Sequence, residues 1–121
     1  MDEKVALDMF GEYLIKKVRY EAIDSWERKS KGKMKDTESQ EIFQVLLQSF
    51  TLEQRTFIEN LFPKIVDTTL HHLLWSLEEE KNIDVIVELD NSVRINIREA
   101  SDGLAGELYT EDGWISRYSN N

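Results

Sequence analysis

Two adjacent histidines, His71 and His72, are the side chains of this sequence best suited to metal binding or proton transfer. They fall in a segment of helical periodicity, where neighbouring side chains point about 100° apart, so they cannot both bind one ion. Asp67 and His71 have the i, i+4 spacing of paired helical ligands, but no identifiable third ligand accompanies them. We therefore predict no metal site, and we interpret the histidines as residues at the border of a helix face.

The other reactive side chains also lack the partners that catalysis requires. Glu88 and Asp90 could serve as acid and base, but they alternate along a predicted strand, and Arg94 is the expected partner of Glu88. The lysine-rich segment 29–33 lacks the Gly-Lys-Ser or Gly-Lys-Thr end of a phosphate-binding loop, and no Gly-x-Ser-x-Gly motif occurs. These observations predict a protein that is not an enzyme and that binds no cofactor.

Length and composition predict a single domain, residues 1–121, with one hydrophobic core. Apolar residues make up 40% of the chain and charged residues 32%, which is typical of a soluble globular protein. The absence of cysteine favours a reducing compartment. The first residues are acidic, whereas a signal peptide begins with basic ones, and no apolar run reaches the roughly 20 residues of a membrane span. We expect a cytoplasmic protein that does not enter the membrane.

The net charge of −9 is distributed unevenly along the chain. Residues 78–121 hold eleven acidic and four basic side chains, whereas residues 27–36 hold five basic and two acidic ones. An acidic surface repels nucleic-acid phosphates and attracts basic proteins, so we predict a basic protein partner and no nucleic acid. It remains open whether the acidic charge serves solubility alone, and whether the basic segment is a solvated loop or meets an acidic partner or phosphate.

Apolar periodicity predicts three to four helices in the first two thirds of the chain. The first is expected from about Asp2 to Lys29, with an inward stripe at spacings of three and four residues. That stripe comprises Ala6, Phe10, Tyr13, Leu14, Val18, Ala22 and Trp26. After an exposed loop at 29–36, Asp36 or Thr37 can cap a second helix that extends to about residue 50.

A third helix is predicted to start at Thr51, because this residue opens a Thr-Leu-Glu-Gln sequence with capping-box spacing. Pro63 is expected to break or kink this helix or to begin a new one, and the apolar pattern then resumes to about Glu80. Trp75, like Trp26, falls on an apolar stripe, so we predict that both lie in the core.

After residue 82 the apolar period changes from helical to alternating, which is typical of β-strands. A three-residue loop at 90–92 pairs apolar residues with apolar ones and acidic residues with basic ones. The predicted pairs are Val87 with Ile95, Glu88 with Arg94, and Asp84 with Arg98. We therefore predict a β-hairpin here.

A second hairpin is predicted from Glu107–Thr110 against Trp114–Tyr118. Its loop ends in Gly113, which suits the positive φ of a bulged turn. With the first hairpin it gives an α+β fold: three to four N-terminal helices at about 2–80, then a small antiparallel sheet of about four strands at about 82–119.

The stretch from Ser101 to Ile115 reads Ser-Asp-Gly-Leu-Ala-Gly-Glu-Leu-Tyr-Thr-Glu-Asp-Gly-Trp-Ile, and it follows a helix that contains His71-His72-Leu-Leu-Trp75. In these features the C-terminal part of the chain resembles small acidic bacterial proteins of uncharacterised or immunity type. Immunity proteins accompany polymorphic or contact-delivered toxins. The resemblance implies a cytoplasmic protein that binds one cognate toxin and needs no cofactor.

Our leading hypothesis is therefore an immunity protein that neutralises a basic toxin through an acidic surface. Tyr109 and Trp114 would serve as aromatic anchors if exposed, although Trp114 could instead fill the core face of the sheet. The candidate partner-binding residues are Glu78, Glu79, Glu80, Glu107, Tyr109, Glu111, Asp112 and Trp114. Two other hypotheses remain: a homodimeric structural or regulatory adaptor that pairs through the sheet edge, and a small enzyme without a recognisable motif.

Overall fold

The computed structural model describes residues 1–119, and helix dominates it. The elements before the sheet are α1 (Asp2–Tyr13), a π-helical segment (Leu14–Arg19), α2 (Tyr20–Ser30), α3 (Thr37–Ser49) and α4 (Leu52–Glu79). They are followed by β1 (Ile86–Glu88), β2 (Arg94–Asn96), α5 (Ile97–Ala100), a 3-10 helix (Ala105–Leu108) and α6 (Trp114–Tyr118). Helix accounts for 70% and strand for 5%, so the predicted α+β fold with a sheet of about four strands is wrong.

The first predicted hairpin is confirmed, although its strands are short. β1 and β2 pair antiparallel in the predicted register, with Val87 opposite Ile95 and Glu88 opposite Arg94. The carboxylate of Glu88 lies 2.9 Å from the guanidinium of Arg94. The alternation ends at Asn96, whose side chain caps α5 by accepting backbone hydrogen bonds from its first turn.

The second predicted hairpin, Glu107–Thr110 against Trp114–Tyr118, is wrong, because these residues lie in the 3-10 helix, a turn and α6. Gly113 has a φ of −74° and is the N-cap of α6, so it closes no bulged turn. A Cβ on Gly113 would lie 1.8 Å from the carbonyl oxygen of Tyr109. Glycine is therefore required here by a close backbone approach, and the positive φ of this turn belongs to Thr110, at 75°.

The predicted inward stripe of the first helix is only partly right. Helix continues from Asp2 to Ser30, and Ala6 and Leu14 are buried as predicted. The π-helical turns, however, bond residue i to i+5, which inserts an extra residue into the α-helical repeat. The buried face then continues through Ile15, Arg19 and Ile23. Val18 and Trp26 consequently lie exposed, and Tyr13, which precedes the π-helical turns, is exposed as well.

α4 is one helix of 28 residues, and Pro63 neither ends it nor begins a new one. The predicted capping box at Thr51 is confirmed, since each side chain of the pair accepts a hydrogen bond from the other residue's N–H. Its buried row spans Pro63 and consists of Phe62, Val66, Leu70 and Leu74. Trp75 lies beside this row and is 50% exposed, so its predicted core position is wrong. Within residues 1–119, no helix, α4 included, combines the length and the apolar character needed to cross a membrane.

The hydrophobic core is built from two stretches of chain, residues 6–23 and 66–114. Trp114 is 1% exposed and meets Phe10 edge to face, with ring centroids 5.8 Å apart. Gly11 makes room for it, because a Cβ at that position would lie 2.3 Å from the indole ring. In residues 31–61 the one buried side chain is the polar Ser39, so this segment adds no buried apolar side chain to the core.

Candidate functional site

The candidate site is the outward side of the C-terminal half of α4, together with the turn that follows the 3-10 helix. His71, Trp75 and Glu79 are spaced four residues apart, so they share one side of α4. Tyr109 joins them, because its hydroxyl lies 3.0 Å from Nδ1 of His71, within hydrogen-bond distance. We name this surface the aromatic–acidic face. It consists of His71, Trp75, Glu79 and Tyr109, and we group with it Glu111 and Asp112, which follow Tyr109 in the same turn.

The 3-10 helix positions Tyr109 against α4. Leu108 is fully buried and Ala105 nearly so, in the same cluster as Leu70 and Leu74 of α4. Tyr109 follows directly and remains 41% exposed. The core therefore fixes the backbone beneath Tyr109, and the hydrogen bond to His71 fixes the direction of its ring.

Glu78 makes a structural contact as well as contributing negative charge. Its Oε1 lies 3.4 Å from the backbone nitrogen of Ala105, at the start of the 3-10 helix. The first N–H groups of a helix have no partner within the helix, and they favour a nearby carboxylate. Glu78 thus helps to hold the 3-10 helix on α4, and its side chain is half-buried rather than free.

Glu80 is likewise engaged at the C-terminal end of α4. Its Oε1 accepts a hydrogen bond of 2.9 Å from the backbone N–H of Asn82. Arg98 donates to the carbonyl oxygens of Leu77 and Glu80, at 2.9 and 2.6 Å, and its guanidinium lies 2.7 Å from Asp84, as the predicted hairpin register requires. A cation at a helix C-terminus is favourable, so Arg98 offsets the unfavourable run of acidic residues there.

Two other predicted residues lie away from the aromatic–acidic face. Glu107 accepts a hydrogen bond of 2.6 Å from the hydroxyl of Ser101 and borders a depression of about 470 Å³ beside Lys4 and Arg117. Trp114 occupies the core, so the core-filling interpretation of this residue is the correct one and it is not an exposed anchor.

Sequence reasoning missed Trp75, which is the more exposed aromatic of the face. Its spacing from His71 was a usable signal, because residues four apart on a helix share one side. The side chains of Glu79, Glu111 and Asp112 are exposed and form neither hydrogen bonds nor ion pairs within residues 1–119. The face therefore presents aromatic rings beside carboxylates that folding leaves available.

The aromatic–acidic face combines aromatic rings with exposed carboxylates. In the part of the chain that the structure describes, no group of three or more His, Asp or Glu side chains could hold a metal ion. Asp67 is engaged by the guanidinium of Arg19, at 2.6 and 3.2 Å. A depression of about 340 Å³ lies against the π-helical segment and Tyr118, and its lining includes neither His71 nor Tyr109.

The chain matches no protein family, no characterised protein and no solved structure in sequence or structural comparisons. The resemblance to immunity-type proteins consequently remains a prediction that rests on residues 101–115 and on the helix that carries His71 and Trp75.

Proposed function

We propose that this chain is a non-enzymatic binding protein that captures a basic polypeptide on the aromatic–acidic face. The observation that supports it best is the exposure of Trp75 and Tyr109, at 50% and 41%, with the exposed carboxylate of Glu79 one helical turn from Trp75. Aromatic side chains are enriched among the residues that dominate protein interfaces. Carboxylates around them favour a partner with lysine or arginine side chains.

Each element of the face has a distinct part in this proposal. The exposed indole of Trp75 offers a flat surface on which an arginine or lysine side chain can stack through a cation–π interaction. Glu79 is one helical turn away and can accept a charge-assisted hydrogen bond from the same cation. The hydrogen bond to His71 holds Tyr109 in one orientation, which lowers the entropy lost when a partner binds.

The particular role that we propose is that of a cytoplasmic immunity protein, with a basic toxin domain as its partner. The acidic charge of residues 78–121 supports this choice, because it would speed the encounter with a basic protein. The adaptor alternative has less support, since β1 and β2 contain three residues each. A strand added at such a short edge would gain few backbone hydrogen bonds.

The test is co-expression of this chain with the product of the neighbouring gene in its native host, followed by co-purification and measurement of growth. We expect the wild-type chain to co-purify with a basic protein and to restore growth. Glu79→Lys should weaken that complex by at least about tenfold, because it places a like charge before a basic partner. Asp90→Lys is the matched control, since it makes the same charge change in the exposed turn of the hairpin.

The proposal fails if the neighbouring product is not toxic and the chain rescues no growth. It also fails if Glu79→Lys and Asp90→Lys weaken the complex equally, because total charge rather than the aromatic–acidic face would then determine binding.

A further inference from the structure

A pocket of about 340 Å³ lies where the π-helical segment passes into α2, beside the end of α6. We name it the α2 pocket. Its volume is at the lower end of the roughly 300–1,000 Å³ that is typical of small-molecule sites. It is lined by side chains from residues 15–27 and by Tyr118 and Ser119, and by no residue of the aromatic–acidic face. The α2 pocket is therefore a separate concave surface of ligand size.

The floor of the α2 pocket is apolar and is held in place by the core. Ile15, Arg19 and Ile23 follow each other at four-residue spacing through the π-helical turns, and each of them is buried. The two isoleucines belong to the hydrophobic core cluster and also line the pocket. π-helical insertions of this kind occur frequently at functional sites.

One side of α2 places an aromatic ring and two carboxylates at the pocket. Tyr20, Asp24 and Glu27 recur at spacings of four and three residues, so they share this side of the helix. Tyr20 is 59% exposed, and within residues 1–119 no cationic group lies over its ring. The ring of Tyr118 already carries the guanidinium of Arg117, 4.8 Å from its centroid. Tyr20 therefore provides the open ring of the pocket.

Both cations in the lining are neutralised by carboxylates that lie outside the pocket. Nζ of Lys16 lies 2.6 Å from the carboxylate of Glu12. The guanidinium of Arg19 donates to both carboxylate oxygens of Asp67, at 2.6 and 3.2 Å. This pairing occupies the fork of donors with which an arginine binds an anion. The α2 pocket is consequently poorly suited to an anionic ligand.

Both carboxylates in the lining, by contrast, are available. The side chains of Asp24 and Glu27 form neither ion pairs nor hydrogen bonds within residues 1–119. Because Lys16 and Arg19 are neutralised, these two acids leave the pocket with an excess of negative charge. An apolar floor, an open aromatic ring and available carboxylates together match a ligand with an apolar body and a positive charge.

We propose that the α2 pocket binds a small organic cation, in which an ammonium group is attached to an aromatic or alkyl body. The apolar body lies on Ile15 and Ile23. The ammonium group donates charge-assisted hydrogen bonds to Asp24 and Glu27, and the ring of Tyr20 stabilises it through a cation–π interaction. This site goes beyond the proposed function and does not depend on it.

The test is a titration with phenethylamine, phenethyl alcohol and hydrocinnamate, which share a phenylethyl body and differ in charge. Heteronuclear NMR at about pH 7 follows the backbone amides of the whole chain. We expect phenethylamine to shift the amides of residues 15–27 and 114–118, with a dissociation constant of about 1 mM or below. It should bind at least about fivefold more tightly than phenethyl alcohol, and hydrocinnamate should bind most weakly.

A double variant separates the charge contact from the apolar floor. Asp24→Asn with Glu27→Gln should remove most of the preference for phenethylamine and leave the affinity for phenethyl alcohol unchanged. Glu41→Gln with Asp90→Asn is the matched control, since it removes the same charge from two exposed acids outside the pocket. Equal effects of the two double variants would show that net charge, rather than the pocket, selects the amine.

A second pair of variants tests the aromatic ring. Tyr20→Leu should weaken phenethylamine by about two- to fivefold and phenethyl alcohol by less, because only the amine makes a cation–π interaction. Tyr13→Leu is the control, since Tyr13 is 62% exposed but does not line the pocket.

Three results would each overturn the proposal. They are no saturable binding of phenethylamine up to about 10 mM, equal affinity for phenethylamine and phenethyl alcohol, and shift changes centred on Trp75 and Glu79 instead of α2. Capture of a polypeptide is measured separately with Glu79→Lys, so either proposal can fail without the other.

Discussion

The two stretches that build the core and the segment of residues 31–61 differ in how they use apolar residues. Residues 6–23 and 66–114 supply the buried apolar cluster around Trp114, whereas residues 31–61 bury no apolar side chain. Two tryptophans show the same contrast at closer range, because Trp114 is 1% exposed and Trp75 is 50% exposed. Apolar burial that stabilises the fold is thus concentrated in residues 6–23 and 66–114, and residues 31–61 contribute no buried apolar side chain to it.

The largest effect that distinguishes these two parts of the chain should come from their aromatic side chains. Trp114→Ala should lower the free energy of unfolding by about 3–5 kcal/mol, since it removes a buried indole from the core. Phe57→Ala should change it by less than about 0.5 kcal/mol in the monomer, because Phe57 is exposed. Urea unfolding at low micromolar concentration measures both values.

Trp114→Phe provides a milder version in case Trp114→Ala does not fold, since it keeps an aromatic ring in contact with Phe10. The loss of unfolding free energy for Trp114→Phe should fall between the losses for Trp114→Ala and Phe57→Ala. Equal costs for Trp114→Ala and Phe57→Ala would contradict the division of the molecule into these two parts.

A smaller effect is expected at a glycine that packs in the core. Gly11→Ala should destabilise the protein by about 1–3 kcal/mol, because the new Cβ would lie 2.3 Å from the indole of Trp114. This cost exceeds the gain of up to about 1 kcal/mol from the higher helix propensity of alanine. Gly106→Ala is the control, since a Cβ there meets no atom within 4 Å, and thermal unfolding should show it to be neutral.

The smallest effect concerns the ion pair that joins α1 to α6, Asp8 with Arg117 at 2.6 Å. Burial alone would raise the pKa of Asp8, but hydrogen bonds from Arg117 and Lys4 outweigh burial and lower it. A carboxyl whose pKa is lowered by folding stabilises the protein above its unfolded pKa, and that contribution disappears as the pH falls through its folded pKa. Asp8→Asn should therefore cost less than about 1 kcal/mol at neutral pH.

Chemical denaturation from about pH 7 to about pH 2 measures this difference between the wild type and Asp8→Asn. The difference should shrink as the pH falls below the ordinary pKa of an aspartate. A difference that stays constant or grows in acid would show that the ion pair is not its cause.

Local sequence signals predicted the parts of the fold that depend on local interactions. The capping box at Thr51, the helix from Asp2 to Ser30 and the register of the first hairpin follow from side chains close in sequence. The π-helical turns do not follow from local sequence. They displace the inward face of the helix by one residue, and residues 14–19 contain no Gly or Pro to indicate such a displacement.

The last fifth of the chain was mispredicted because a dense turn signal fits more than one tertiary arrangement. Glycines and Asp-Gly pairs indicate sharp bends, and such bends occur between short helices as well as between strands. The arrangement with short helices is the one in which Trp114 packs on Phe10 and Gly11, more than a hundred positions earlier in the chain.

The candidate site was predictable only where it depends on local sequence and composition. Exposed acids such as Glu79, Glu111 and Asp112 follow from composition, and Tyr109 follows from its position beside them. The hydrogen bond of Glu78 to the backbone N–H of Ala105 depends on long-range packing. The hydrogen bond of Glu80 to the backbone N–H of Asn82 depends on the reversal of the chain after α4. The exposure of Trp75 depends on which side of α4 meets the core, and this is a tertiary property.

Native-state hydrogen exchange at low micromolar protein concentration tests the division between the core stretches and residues 31–61 most directly. Backbone amides of α4 around Leu70 and Leu74 should exchange only through global unfolding. Amides of α3 should exchange through local opening, with a free energy lower by about 2 kcal/mol or more and little dependence on denaturant. If α3 exchanges with the same free energy and the same denaturant dependence as the residues around Leu70, the two parts form one cooperative unit and the account is contradicted.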